Sequence, residues 1–354
     1  MRSFQWIPLV VAGCSTSGPP AADPCAVPGP SCSALAADAL TYRDLASHPG
    51  CGTAGLSYAP AALPGFSCAA RAYGPDAPDP SLPIVVLVHG NASSPGDFET
   101  CVAGTDPVTA GCVASDVPML AERLAAAGVR AYALDLRTGG QTVDHEWSVP
   151  LAQALLAAVL AAWPDRDVSV VGFSLGVTTL RDALRRLHRA GAQPLARLRD
   201  VVLASGGNHG VATYAALCRA PGPPGGDTMS SHAACELGNR VGYTPTPFLA
   251  ALNGPDARFE TPCLDGDLAY GEAGACGGRR VRYTTVVLGD VAPGVFADEV
   301  VSSASAALAG ADNVTLAPTD VDATGWFYGG ILAAHFGSVR SAAGLQAITG
   351  ALLR

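Results

Sequence analysis

The stretch DVSVVGFSLGVTTLRDALRRL, residues 167–187, joins a strand to a helix through a serine that lies between two glycines. Valine dominates residues 168–172, which is typical of a strand buried on both faces. From Leu175 onward, apolar residues recur at helical spacing. Ser174 is therefore predicted at a tight bend, where the flanking glycines let the backbone approach its neighbours without Cβ collisions.

The residues Gly172-Phe173-Ser174-Leu175-Gly176 fit the pattern GxSxG. In a chain with 41 glycines this pattern arises readily by chance, so its position between a strand and a helix carries the evidence. A serine placed there exposes its hydroxyl, and the helix N-terminus presents unpaired N–H groups to developing negative charge. We predict Ser174 to be a nucleophile; a serine that only caps the helix is the alternative.

Strand-like and helix-like segments alternate along the chain from residue 82 onward. Strands are predicted within 82–90, 129–137, 167–172, 198–207 and 279–289, and helices within 119–128, 149–164 and 174–191. Unbroken Val/Leu strands that alternate with helices indicate an α/β fold with a doubly wound, mostly parallel sheet. The segment 211–278 is too long for an ordinary loop, so it is predicted to form a Cys-rich cap over the sheet edge.

The N-terminus has the pattern of an export signal. Arg2 precedes a short apolar stretch, and small residues precede Cys14 in the sequence MRSFQWIPLVVAGC. The run before Cys14 resembles a bacterial lipobox, so residues 1–13 are predicted to be a signal peptide and Cys14 to carry a lipid. An ordinary secretory signal with an incidental cysteine is the alternative. Residues 14–50 then form a tether and a Cys-rich segment, and residues 51–354 the catalytic domain.

Cysteine usage fits an exported protein. The chain has 11 cysteines, so a lipid on Cys14 leaves an even number to pair. We predict five bridges between successive cysteines, each closing a short loop, although sequence does not fix the connectivity. These pairs are Cys25 with Cys32, Cys51 with Cys68, Cys101 with Cys112, Cys218 with Cys235, and Cys263 with Cys276. No CxxC spacing occurs, so no metal site is expected.

The charge balance limits the partners. The formal net charge is −9, so nucleic acid and anionic membrane surfaces would be repelled at long range. Membrane contact is therefore expected through the N-terminal lipid only. With 49% hydrophobic residues in 354, the chain can bury a large core in one domain with insertions.

A serine nucleophile needs a base, normally a histidine oriented by a carboxylate. On α/β-hydrolase-type sheets the chain order is Ser, acid, His. His209 and His232 precede the last predicted strand, whereas His335 follows it, so His335 is the predicted base, in a loop before a closing helix. A structural histidine is the alternative.

The acid is expected in the loop after the strand at 279–289. Asp290, Asp298 and Glu299 all qualify by position, and spacing does not choose among them.

A resemblance narrows the choice. The tract 281–316, with His335 downstream, resembles the C-terminal third of small secreted bacterial lipases of the α/β-hydrolase superfamily. Their pattern has a strand containing Tyr-Thr, a short loop, and an Asp followed by an acidic or apolar residue and two aliphatic ones. The residues DEVV at 298–301 match that pattern, so the resemblance implies Asp298 as the acid.

The resemblance covers residues 82–350 and includes an HG pair after the first core strand, here His89-Gly90-Asn91. It implies an oxyanion hole formed by the backbone N–H groups of Asn91 and Leu175. His89 is expected to support this loop by hydrogen bonding. Phe173 stands where the family more often has histidine.

These observations predict a serine carboxylic-ester hydrolase, a lipase or esterase, that is exported and lipid-anchored. Its substrate would be a small-molecule or lipid ester, and no cofactor is expected. An acyltransferase or peptide hydrolase using the same triad is one alternative. A lipid-anchored binding module without catalysis is the other.

Overall fold

The computed structural model describes residues 51, 61–91, 93–100, 117–136, 145–189, 193–211, 249, 252–253, 281–292, 295, 297–321 and 333–354. The expectations for the signal peptide, Cys14 and the tether lie outside these residues. So do four of the five predicted cysteine pairs and nearly all of the predicted cap.

Seven strands form one sheet in the order β1-β3-β2-β4-β5-β6-β7. The strands are β1 (Ala70–Tyr73), β2 (Ile84–Val88), β3 (Ala131–Leu134), β4 (Val168–Phe173), β5 (Leu198–Ala204), β6 (Arg282–Leu288) and β7 (Asp312–Leu316). Only β1 runs antiparallel to its neighbour; the five other pairings are parallel.

Helices cover both faces of this sheet. They are α1 (Leu120–Ala126), α2 (His145–Ala162), α3 (Leu175–Arg189), α4 (Ser303–Ala306), α5 (Ala333–Arg340) and α6 (Ala342–Leu352). Short 3-10 helices lie at Pro95–Phe98, Gln193–Arg197 and Pro318–Asp320.

Two apolar cores, one on each face, hold the layers together. In β2, Ile84, Val86 and Val88 pack on the face covered by α2 and α3, while Val85 and Leu87 pack on the face covered by α1, α5 and α6. Every residue of β2 is buried, because both sides of the strand are covered. The predicted doubly wound, mostly parallel α/β fold is confirmed.

Two edge strands were not predicted. β1 has only four residues, and most of β7 is exposed or half-buried, so neither carries an apolar run that marks a strand. Edge strands are short and polar because one side has no strand partner. The strand predicted to reach residue 207 ends at Ala204, because Ser205 takes a left-handed φ of 45°.

The predicted Cys51–Cys68 disulfide is present and joins the segment before β1 to an earlier part of the chain. From the predicted cap, Leu249 and Leu252 are fully buried against the core on the α2 and α3 side.

Among the helices that the structure describes, none combines the length and apolar character needed to span a bilayer. Within the same residues, no group of three or more His, Cys, Asp or Glu side chains is placed to hold a metal ion.

Candidate active site

Ser174 occupies the sharp turn between β4 and α3. Its φ is 53°, in the left-handed region that costs a non-glycine residue about 1–3 kcal/mol and persists where surrounding structure enforces it. The neighbouring strand does so here, since the Ser174 N–H donates to the Ala204 carbonyl at 2.9 Å. The Ser174 carbonyl in turn accepts the N–H of Val177 at 3.0 Å, which closes the first turn of the helix. The predicted strand–turn–helix geometry is confirmed.

The turn depends on glycines because three pieces of backbone meet there. A Cβ on Gly176 would lie 2.3 Å from the Val88 carbonyl oxygen and 2.4 Å from that of His89. A Cβ on Gly90 would lie 2.9 Å from the Ser174 Cβ. The loop after β2 therefore abuts the serine and the start of α3, as an oxyanion loop must.

His335 meets Ser174 although 161 positions separate them. Its Nε2 lies 2.8 Å from the Ser174 Oγ, within hydrogen-bonding distance. The prediction that His335 lies in a loop is wrong, since it lies in the first turn of α5. Helix placement fixes its backbone, and its ring packs against Phe173 with centroids 5.1 Å apart.

Asp298 holds the other side of the imidazole. Its Oδ1 and Oδ2 lie 2.8 and 3.0 Å from the His335 Nδ1. The carboxylate is fully buried, and its Oδ1 also accepts the backbone N–H groups of Val300 and Val301 at 2.9 Å. This arrangement makes Nδ1 the protonated nitrogen and leaves Nε2 to accept the serine proton.

The two other acids that sequence left open have different partners. Asp290 accepts the N–H of Ser303 at 3.0 Å, which ties down the start of α4. Glu299 accepts the backbone N–H groups of Ala334 and His335 at 3.1 and 2.8 Å. Of the three candidates, Asp298 alone has a hydrogen bond to the imidazole among the described contacts.

The charges of the pair oppose the effect of burial. Burial by itself raises the pKa of Asp298, but the adjacent His335 and the hydrogen bonds to its carboxylate hold that pKa below its ordinary value. For His335 burial lowers the pKa, but the charge and hydrogen bond of Asp298 together with the charges of Glu299 and Asp97 outweigh it, so the pKa of the imidazole is raised. Both pKa shifts stabilise the ion pair of the His335 imidazolium and the Asp298 carboxylate, which forms when the proton of Ser174 has moved to His335.

The loop after β2 carries the predicted oxyanion donor Asn91, and Leu175, the other predicted donor, is the first residue of α3. The N–H of Leu175 is therefore one of the four that a helix leaves without an internal partner. Asn91 directly follows Gly90, whose backbone contacts the serine. Both predicted donors thus directly follow residues that meet at this turn, and their role in an oxyanion hole stays a prediction.

Side chains hold this loop in place. The His89 Nδ1 lies 2.8 Å from the Gly90 carbonyl oxygen, and its Nε2 accepts the N–H of Leu136 at 2.9 Å. His89 therefore donates at Nδ1, accepts at Nε2 and supports the loop, as expected. Sequence reasoning missed Asp97, which is buried and accepts the N–H of Gly90 at 3.2 Å and the hydroxyl of Ser93. The only sequence feature that could have identified Asp97 is the presence of a carboxylate a few residues after an HG pair.

A cleft that is partly open to solvent lies beside Ser174. Its walls include Leu175 and Thr178 from α3, Val211 after β5, and Val300 and Val301 after Asp298. The lining of this cleft is mainly apolar.

The sheet order, the strained serine after a central strand and the chain order Ser, Asp, His are those of the α/β-hydrolase fold, which the sequence resembled. No protein-family model and no curated protein matches the chain.

The chain is similar to several solved structures. A lipase from Bacillus licheniformis in its mature form is 18% identical with a TM-score of 0.48, over 80% of this chain and 97% of that one. Lipase B from Aspergillus fumigatus is 16% identical with a TM-score of 0.44, over 88% of this chain and 64% of that one. An alpha-beta serine hydrolase homologue from Coxiella burnetii is 12% identical with a TM-score of 0.34, over 70% of this chain and 80% of that one. Likeness at this level concerns the fold, so function must be argued from the site itself.

Proposed function

We propose that the protein is a serine hydrolase that cleaves carboxylic esters through an acyl-enzyme. The observation that carries this proposal is the pair of contacts on one imidazole: Ser174 at Nε2 and Asp298 at Nδ1, each at 2.8 Å. A hydroxyl, a neutral imidazole and a buried carboxylate in line form the arrangement that activates serine in acyl transfer.

In the first half-reaction the Ser174 Oγ attacks the ester carbonyl carbon as its proton passes to the His335 Nε2. The carbonyl electron pair moves onto oxygen, where the N–H groups of Asn91 and Leu175 stabilise the charge. The tetrahedral intermediate then expels the alcohol, which takes the proton from Nε2, and the acyl group stays on Oγ.

In the second half-reaction water attacks the acyl carbon while the His335 Nε2 accepts its proton. The new intermediate collapses, the carboxylic acid leaves, and the proton returns to the Ser174 Oγ. Asp298 stabilises the imidazolium in both halves and stays ionised, in keeping with its lowered pKa. No other group needs to supply or remove electrons.

An apolar cleft beside the serine supports an ester with a hydrocarbon acyl or alcohol part. An acyltransferase or a peptide hydrolase would use the same contacts, and a binding module would use none of them. Turnover of p-nitrophenyl esters from acetate to palmitate, compared with transfer to added alcohols and hydrolysis of peptides, separates the enzymatic alternatives.

The decisive test is covalent labelling by a fluorophosphonate probe. The wild-type protein should be labelled at Ser174 and the Ser174→Ala variant should not, whereas Ser303→Ala, a matched change in α4, should label normally. Asp298→Asn should lower kcat by about 10³–10⁴-fold. Asp290→Asn, which removes an equal charge from the same loop, should leave kcat within a small factor of wild type. Failure of the native protein to label would support the binding module and refute the enzyme.

A further inference from the structure

Glu299 directly follows the acid and contacts the helix that carries the base. Its Oε2 accepts the backbone N–H of His335 at 2.8 Å, and its Oε1 accepts that of Ala334 at 3.1 Å. Both N–H groups belong to the first turn of α5, where a helix lacks internal acceptors and carries partial positive charge. One carboxylate therefore satisfies two backbone donors, one of them on the catalytic histidine.

Adjacent carboxylates thus grip one residue at two points. Asp298 holds the imidazole through Nδ1, and Glu299 holds the backbone from which that imidazole extends. Asp298 and His335 are 37 positions apart in the chain, so local chain geometry does not set the distance between the acid loop and the start of α5. The contacts of Asp298 and Glu299 set that distance. Movement of α5 along its axis would break the hydrogen bonds to Asp298 and Glu299 and would move the His335 Nε2 away from Ser174.

We propose that Glu299 is a positioning residue for the hydrolysis. It fixes the distance between His335 and Ser174, and its negative charge favours the imidazolium that forms in each proton transfer. This role rests on the proposed function. A shift of 1 Å in the alignment of a catalytic group can cost about 10²-fold in rate, so hydrogen bonds to the backbone of the base and of the residue before it suffice for a measurable effect.

The charges around His335 give the proposal a second readout. Burial lowers the pKa of the imidazole, and Asp298, then Glu299 and Asp97, raise it. Asp97 reaches it from the 3-10 helix after β2, and the charge of Asp97 is itself partly balanced by the buried guanidinium of Arg340 in α5. Removal of the negative charge of Glu299 therefore lowers the pKa of His335, in the same direction as added burial.

A simple helix cap would behave differently. A carboxylate that caps a helix away from the base stabilises the fold and leaves the pKa of the imidazole and kcat unchanged. Glu122 provides a matched control in the same protein: its carboxylate accepts the N–H groups of Thr100 and Met119 at 2.9 and 3.2 Å, at the start of α1.

The experiment compares Glu299→Gln, Glu299→Ala and Glu122→Gln in the full chain, with kcat, KM and thermal midpoint measured from pH 5 to 10. Glutamine keeps one acceptor oxygen but no charge, so kcat should fall about 3- to 10-fold with KM nearly unchanged. The acidic limb of kcat/KM should move to lower pH. Alanine keeps neither acceptor, so kcat should fall further. Glu122→Gln should change the thermal midpoint alone.

A measurement without substrate separates this proposal from the proposed function. The imidazole of His335 is titrated by NMR in each variant, its signal assigned by its loss in His335→Asn. A pKa that falls in Glu299→Gln but not in Glu122→Gln supports the role of Glu299 even if no ester is turned over. Wild-type kcat and an unshifted imidazole pKa in both Glu299 variants would overturn it, whatever the ester assays show.

Discussion

Replacement of Gly176 by alanine tests whether close backbone contact, and not helix propensity, explains the glycine after the nucleophile. A new Cβ there would lie 2.3 and 2.4 Å from two carbonyl oxygens at the end of β2, where ordinary contact begins at 3.4 Å. Backbone on one side must therefore move by about 1 Å, because neither carbonyl belongs to a flexible side chain.

The magnitude follows from two opposing effects. Alanine is preferred over glycine in a helix by about 0.5–1 kcal/mol, whereas overpacking of a close-packed interior costs about 1–3 kcal/mol or more. We expect Gly176→Ala to lower the free energy of unfolding by about 2 kcal/mol, since the clash is with backbone. Displacement of the oxyanion loop by about 1 Å should also lower kcat by about 10²-fold.

Gly350→Ala is the matched control. Gly350 lies in α6, and a Cβ there would meet nothing within 4 Å. It should raise the free energy of unfolding by about 0.5–1 kcal/mol and leave kcat unchanged. Urea unfolding monitored by circular dichroism and turnover of p-nitrophenyl acetate measure both effects. Gly176→Ala with wild-type stability and kcat would refute the packing argument.

Two further predictions concern pH and the disulfide. The acidic neighbours Asp298, Glu299 and Asp97 together outweigh burial and raise the pKa of His335, and the base acts in its neutral form. The ratio kcat/KM should therefore rise with pH through a pKa above 6.5; an acidic limb below that value would contradict the charge argument. The Cys51–Cys68 bridge spans 17 residues, so its loss in the Cys51→Ser, Cys68→Ser double variant should cost about 3 kcal/mol in urea unfolding. Its kcat should persist, because β1 lies at the sheet edge, three strands from the β4 that carries Ser174.

The local sequence pattern was sufficient to predict the central strands of the sheet and the helix after Ser174. The strand–turn–helix around Ser174 follows from its own residues, since valines select a buried strand and the next segment has helical spacing. The same holds for β2, β3, β5 and β6, which are mostly buried and contain aliphatic runs such as IVVLV in β2 and VVLA in β5. The edge strands β1 and β7 escaped prediction because an edge needs no such run.

The amino-acid sequence by itself determined the turn in which Ser174 lies and the layered sheet behind it, because these depend on residues next to one another. Only the tertiary structure decided which of three acids faces the imidazole, that His335 lies in a helix, and that Glu299 grips that helix. Those contacts join residues 35 to 37 positions apart, and the contact between Ser174 and His335 joins residues 161 positions apart. No periodicity in these segments encodes the distance between them. They form because strand ends on one edge of a parallel sheet bring remote loops together.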